Sequence, residues 1–365
     1  MAPIGGFDMS YQVSHCASCG FVYASELPDS AVYDAYYRVL SKYDVMASAS
    51  EVRPVDRVRM SAAVDICSSH LGPDAIITDI GCGSGILLNA FREAGWSHLY
   101  GIDPAPGAQA KADSLFGLKN VLTGTLKQAG EVLPLERADL VCLTGVLEHL
   151  PDLRSDLVAL VEGMNEGAMI LVEVPALERF VREPLEPYGE FSLEHIQYFS
   201  AESLGRLIAE LGYHYLARDI VALSGGVTDS LFGLFARRGA LEVNISCEPT
   251  DPQEYVDLSE MATSQVIDKI TGCSNEHLVI YGAGSHTARL LPKLDAIGIF
   301  RRIVGIVDGN PNLLGQKIGG FEVYSPADLK RWPEATIVIS SFSAQDAIAG
   351  FIARQFPNSM LRLYS

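Results

Sequence analysis

The stretch Ile76–Pro104, IITDIGCGSGILLNAFREAGWSHLYGIDP, decides the fold of this chain. An apolar run ends at Asp79 and is followed by the turn Gly81-Cys82-Gly83-Ser84-Gly85. Ile86 to Ala94 has the spacing of an amphipathic helix. Leu99 to Ile102 then reads as a second short strand, ending at Asp103-Pro104. Strand, glycine turn, helix and strand in this order build a seat for a nucleotide-like ligand. Glycines let the backbone come close to such a ligand, because no Cβ stands in the way. The helix N-terminus offers unpaired N–H groups. Asp103, at the tip of the second strand, can accept hydrogen bonds from a ribose diol.

Two ligand classes compete for this turn. A dinucleotide site uses G-x-G-x-x-G, with the pyrophosphate on the helix N-terminus. Here the loop is G-x-G-x-G, preceded by Asp79. An acid two residues before the first glycine suits a cationic amino-acid end better than a pyrophosphate. The chain at this point resembles the class I S-adenosylmethionine-dependent methyltransferases. Their first motif reads acid-x-G-x-G-x-G, and their second strand ends in an acid. The matching residues are Asp79, Gly81, Gly83, Gly85 and Asp103. The resemblance implies S-adenosylmethionine as cofactor, with Pro104 among the residues that bind it. A glycine-rich turn in some other α/β protein is the competing reading.

The rest of the chain narrows the function classes. At 365 residues, two or three domains are expected. Apolar residues make up 48%, enough for sizeable cores. A net charge of −18 repels phosphate backbones and argues against a nucleic-acid substrate. No apolar run reaches the roughly 18–20 residues of a membrane span. The N-terminus MAPIGGFDMS lacks the basic and apolar regions of a secretory signal. Seven cysteines, mostly scattered singly, are no disulfide framework, and a cytoplasmic protein is expected.

Residues 71–174 alternate strand and helix, which predicts a doubly wound parallel sheet with ligands at the carboxyl ends of its strands. Those ends are Asp79–Gly85, Asp103, Gly124-Thr125, Thr144–His149 and Glu173–Pro175. The methyltransferase resemblance makes this a seven-stranded sheet, completed by two antiparallel strands, Tyr213–Leu223 and Ser230–Arg237. It places Thr125 and the backbone of Leu143 and Thr144 at the cofactor. The expected divisions are 1–28, a partial zinc-ribbon-like hairpin, and 29–238, the methyltransferase domain. A linker and helix, 239–274, and a smaller Rossmann-like α/β domain, 275–365, follow.

Residues 29–70 read as largely helical, with Asp29 and Ser30 able to cap the first helix. Tyr33, Tyr36, Tyr37 and Tyr43 cluster there. Such spacing usually marks core; in the methyltransferase reading the segment is a lid, with Tyr37 or Tyr43 near the cofactor.

Two histidine segments carry the candidate chemistry. The first is Leu143-Thr144-Gly145-Val146-Leu147-Glu148-His149, in which His149 either faces a substrate or braces its loop. The second is Glu194-His195-Ile-Gln-Tyr198-Phe-Ser200, with Ser200 capping a following helix. It resembles the pattern of the sugar C-methyltransferases, where a Tyr-x-Glu-His group moves the proton. Glu194 and His195 match, but Ser192 stands where that family has tyrosine. Tyr198 is a candidate substrate contact. Histidine has an unperturbed pKa suited to this work; His195, oriented by Glu194, is the first candidate base and His149 the second.

Both flanks fit the same family. Cys16-x-x-Cys19-Gly is half of a zinc ribbon, and structural zinc takes four ligands, so a vestigial hairpin packed on the main domain is the first reading and bound zinc the second. Near the C-terminus, Leu278-Val-Ile-Tyr-Gly282-Ala-Gly284-Ser-His286-Thr287 opens a second nucleotide-type unit, and Ile303–Asp308 is its next strand. Gly282, Gly284 and His286 are candidate contacts to a nucleotide-sugar phosphate at the helix start. The expected activity is methyl transfer to a small polar molecule, foremost C-methylation of a nucleotide-linked sugar. O-methylation is the alternative, favoured by the missing tyrosine. An NAD(P)-dependent sugar-modifying enzyme using Gly282–Asp308 and a non-catalytic cofactor sensor are readings from other classes. A homodimer is compatible with all of them.

Overall fold

The computed structural model describes residues 12–27, 29, 33, 52–182, 185–192, 194–224, 227–237 and 252–364. Of the expected lid, Tyr33 is described and buried, whereas Tyr36, Tyr37, Tyr43 and the Ser30 cap lie outside the described residues. The chain divides into two compact units. One contains Ser10–Phe180 and Leu193–Pro252; the other contains Val181–Ser192 and Gln253–Ser365.

The first unit begins with an antiparallel hairpin, β1 (Gln12–His15) and β2 (Val22–Ser25). Its turn is the cysteine knuckle, closed by Gly20 N–H to Cys16 O at 2.8 Å. Helix α1 (Pro54–Ser68) follows, started by proline at its first position, where no N–H is missed. Then come β3 (Ile76–Ile80), α2 (Ile86–Glu93), β4 (His98–Asp103), α3 (Ala108–Phe116) and β5 (Val121–Thr123). The short α4 (Ala129–Val132) leads to β6 (Leu140–Thr144), α5 (Leu153–Glu162) and β7 (Met169–Pro175). The unit closes with β8 (Gln197–Tyr198), α6 (Ala201–Ala209), β9 (His214–Val221) and β10 (Ser230–Ala236).

Seven of these strands form one sheet in the order β5-β4-β3-β6-β7-β10-β9. Pairings among the first five are parallel, and β10 is antiparallel to both its neighbours. The chain leaves β3 toward β4 on one side and returns to β6 on the other, so the carboxyl end of β3 is the switch point where an open α/β sheet binds its ligand. This is the seven-stranded sheet, closed by an antiparallel pair, that the sequence resemblance implies.

The sheet is covered on both faces, as its unbroken apolar strands require. In β6, Leu140 and Cys142 point into the core beneath α1 and α2, with Phe91, Cys67 and Leu88. Val141 and Leu143 point into the opposite core, with Leu157, Leu204 and Tyr213. Each Leu or Ile fully buried in this way contributes about 1.5–3 kcal/mol. Cys67, Cys82 and Cys142 are buried packing residues, and burial pushes the Cys67 thiol up to about 12. Helix α6 starts where its cap residue predicts, with Ser200 Oγ accepting from Ser203 N–H at 3.1 Å.

In the second unit, α7 (Pro252–Thr271) buries Tyr255, Ser259, Thr263, Val266 and Ile270, one helical stripe. Then follow β11 (Leu278–Tyr281), α8 (Ser285–Ala296), β12 (Ile303–Val307), β13 (Lys317–Ile318), β14 (Phe321–Tyr324), β15 (Thr336–Ile339), α9 (Gln345–Gln355) and β16 (Met360–Arg362). They form a six-stranded sheet, β13-β14-β12-β11-β15-β16, parallel except for the β13–β14 pair. The insert Val181–Ser192 belongs to this unit: Tyr188 N–H donates to Ser259 Oγ at 3.1 Å, and Glu190 N–H donates to the Tyr255 hydroxyl at 2.9 Å.

Candidate active site

The carboxyl edge of the parallel strands carries the cofactor candidates. Gly81, Gly83 and Gly85 all have positive φ, at 74°, 53° and 80°. That is the left-handed region, which side chains resist. A Cβ on Gly81 would lie 2.6 Å from Val146 Cγ2, so this turn also fits closely against the loop after β6. Gly85 is the N-cap of α2.

Asp103 closes the turn from the next strand. Its Oδ2 accepts from Gly83 N–H and its Oδ1 from Ala105 N–H, each at 2.8 Å. Each oxygen keeps a further lone pair for a ribose hydroxyl. Burial raises the Asp103 carboxyl above its usual range, against the lowering effect of those two N–H donors.

Asp79 is different. It is 1% exposed, and among the described residues neither carboxylate oxygen has a hydrogen-bond partner. Burial, and next the charge of Asp103, push its pKa well above normal. An orphaned buried carboxylate costs several kcal/mol unless something satisfies it. A cationic amino group delivered at the end of β3 is such a partner. The residues present therefore fit S-adenosylmethionine: Asp79 for the amino-acid end, the glycine turn for close approach, and Asp103 for the ribose. Thr125 lies just after β5, engaged in a capping box with Gln128, and Leu143 and Thr144 end β6.

The reactive side chains gather beside this edge. His149 ends a helical turn, Leu147–His149, just after β6. His195 lies two residues before β8. Two backbone links join these loops: Ile196 N–H to Glu148 O at 2.8 Å and Gln197 Nε2 to Leu150 O at 3.2 Å. The imidazole rings meet edge-on, with centroids 4.8 Å apart. Glu148 is 3% exposed and has its Oε1 3.9 Å from His149 Nε2. Glu194 meets this group through its backbone, its carbonyl accepting from His149 Nδ1 at 2.7 Å. Tyr198, 2% exposed, donates its hydroxyl to the His195 carbonyl at 2.7 Å and so holds the loop.

The neighbouring buried pair was not foreseen. Arg59 of α1 donates from Nε to Glu173 Oε1 at 3.1 Å and from Nη2 to Glu173 Oε2 at 2.5 Å. The Ser230 hydroxyl also donates to Glu173. The charge of Glu173 raises the Arg59 pKa further, so the guanidinium stays charged. A Cβ on Gly145 would stand 3.7 Å from both Arg59 Nη2 and Glu148 Oε1, so the ion pair borders the histidine group. Glu148 and Arg59 gave no local signal: one is the residue next to a histidine already singled out, the other lies on a helix 114 residues from its partner.

Elsewhere, Cys16 and Cys19 face each other across the knuckle, and the turn N–H groups at Cys19 and Ser18 lower the Cys16 thiol pKa. Among the described residues no third histidine, cysteine or acid joins them in a metal-binding group. In the second unit, Gly282 has φ 114°, and a Cβ there would lie 2.6 Å from Ser340 O. Asp308 accepts from Ala283 N–H at 2.7 Å, repeating the link between Asp103 and Gly83. His286 is enclosed by the Ser340 hydroxyl, 2.8 Å from Nδ1, and by the Tyr364 hydroxyl at Nε2. Burial, and next the charge of Arg289, lower its pKa to about 4.

Comparison with known proteins places the first unit. Residues 56–217 match the family model of a methyltransferase domain. A 100-residue stretch is 31% identical to trans-aconitate 2-methyltransferase of Rhizobium etli; it covers 27% of this chain and 37% of that relative's length. Among solved structures, the magnesium protoporphyrin IX methyltransferase of Synechocystis with bound S-adenosylhomocysteine is 17% identical, covering 57% of this chain and 100% of that one at a TM-score of 0.42. The 1,6-didemethyltoxoflavin-N1-methyltransferase of Burkholderia thailandensis, bound to 1,6-didemethyltoxoflavin and S-adenosylhomocysteine, is 19% identical, covering 60% and 97% at a TM-score of 0.44. Residues 56–217, which match that family model, carry the five parallel strands β3 to β7 of the seven-stranded sheet.

Proposed function

We propose that this protein transfers the methyl group of S-adenosylmethionine to a small polar acceptor, foremost a carbon of a nucleotide-linked sugar. The observation that carries the reading is Asp79, a buried carboxylate without a donor among the described residues at the switch point of the sheet.

Methyl transfer from a sulfonium is an in-line displacement, so the protein's work is to orient the reactants and remove a proton. Asp79 holds the amino-acid end and Asp103 the ribose. A carbon next to a ketone must lose its proton before it attacks, and His195 is the base for that step. His149 is the second candidate, with its ring held by the Glu194 carbonyl. Tyr198 fixes the backbone from which His195 projects. An oxygen acceptor is the alternative, since Ser192 stands in place of the tyrosine of the sugar C-methyltransferases.

The test is a product analysis. Purified protein is incubated with S-adenosylmethionine and a panel of nucleotide-sugars, and products are read by mass and by carbon chemical shift. A mass gain of one methyl group with a new carbon–carbon bond supports the first reading. A methoxy shift moves the assignment to O-methylation, and no product from any keto-sugar contradicts the sugar acceptor.

A further inference from the structure

The geometry points to a divalent transition-metal site formed by Glu148, His149 and His195. Among the described residues these three are the one group of histidine, cysteine and acid donors able to hold a metal, with one atom from each lying within 4.8 Å of the others. Two imidazoles and a carboxylate suit zinc, and the same donor set leaves coordination positions open for a substrate.

Three features of the chain prepare these donors. His149 donates from Nδ1 to the Glu194 carbonyl at 2.7 Å, which leaves Nε2 as the nitrogen carrying the lone pair. Metal-bound histidines are held in this way by a carbonyl or carboxylate on the far nitrogen. Nε2 is also the atom 3.9 Å from Glu148 Oε1. Second, the backbone of both loops is fixed by Ile196 N–H to Glu148 O and by Tyr198 Oη to His195 O. Third, Glu148 is 3% exposed and its carboxylate lies beside the half-buried imidazoles, so one buried anion balances an incoming cation. Ligand atoms of a tetrahedral zinc, at about 2.1 Å from the metal, stand about 3.4 Å apart, so small side-chain rotations close the site.

With a cation bound, His195 is a ligand and no longer the base; the metal is then a Lewis acid that takes the acceptor's hydroxyl or carbonyl oxygen in an open position and acidifies the proton to be lost, so that solvent can remove it. That use rests on the methyl-transfer reading; binding of the metal does not. Arg59 borders the group but is committed to Glu173, so it sets the limit of the site rather than filling it.

The experiment uses the full chain, stripped with a chelator and titrated with Co²⁺, read by visible d–d absorption. One equivalent is expected in the wild type, with at least about a 10-fold loss of affinity in His195→Gln and in Glu148→Gln. The double variant Cys16→Ser/Cys19→Ser keeps the signal, which separates this site from the knuckle. Binding of S-adenosylhomocysteine by both site variants, measured alongside, shows that the fold is intact. No Co²⁺ binding by the wild type, or binding unchanged in His195→Gln, overturns the proposal. If Co²⁺ binds and S-adenosylhomocysteine does not, the metal site stands and the methyl-transfer reading falls.

Discussion

The imidazole of His149 donates from Nδ1 to the backbone carbonyl of Glu194, 45 residues away, at 2.7 Å. A carbonyl can only accept, so the bond fixes which nitrogen carries the proton. Neutral His149 is therefore the Nδ1–H tautomer, with Nε2 facing Glu148 and the His195 ring. Long-range ¹H–¹⁵N correlation spectra read this directly. An Nε2–H tautomer for His149 would mean the two loops are joined differently.

The Arg59–Glu173 pair predicts a stability effect. Glu173 is 2% exposed, and the guanidinium is its bidentate partner. Arg59→Ala leaves a buried carboxylate uncompensated and is expected to destabilise the first unit by about 3 kcal/mol. Glu173→Gln, which keeps an acceptor for the Ser230 hydroxyl, should cost less. Urea unfolding of both variants checks the order.

Asp79 predicts that cofactor binding is linked to protons. Its pKa is raised in the free protein by burial and by Asp103. A cation bound against it favours the carboxylate and lowers that pKa. Binding then releases a proton, and affinity rises as pH rises through the pKa of the free state. Calorimetry of S-adenosylhomocysteine in buffers of differing ionisation heat measures the proton count, and Asp79→Asn removes the release. Proton uptake on binding would contradict this role.

His286 predicts an acid sensitivity of the second unit. Its folded pKa is lowered to about 4 from the ordinary 6.5 by burial, with Arg289 adding to the effect. Between those values the unfolded chain binds a proton that the folded one does not, so stability declines as pH falls through this window. The full loss is about 3 kcal/mol. Denaturant midpoints measured near neutrality and near pH 4.5 should converge in His286→Asn relative to wild type.

The strand–turn–helix–strand unit was legible because its determinants are local. Asp79, the glycine turn, its helix and Asp103 fall within 30 residues, and period and turn chemistry set each one. Strand edges shifted by a residue or two, as in Leu140–Thr144 for the expected Ala138–Thr144. What the residue pattern did not show is non-local. The pairing of Arg59 with Glu173, the approach of Glu148 to two histidines and the packing of Val181–Ser192 with the C-terminal unit depend on chain segments far apart in sequence. The short β13, β14 and β16 were also silent, since runs of two to four residues carry little periodicity.

The most direct measurement is a calorimetric titration of the whole protein with S-adenosylhomocysteine and, separately, with NAD. The account predicts one equivalent of S-adenosylhomocysteine bound in the micromolar range, abolished in Asp103→Ala and kept in His195→Ala, with no comparable NAD binding. Tight NAD binding with none of S-adenosylhomocysteine would contradict it.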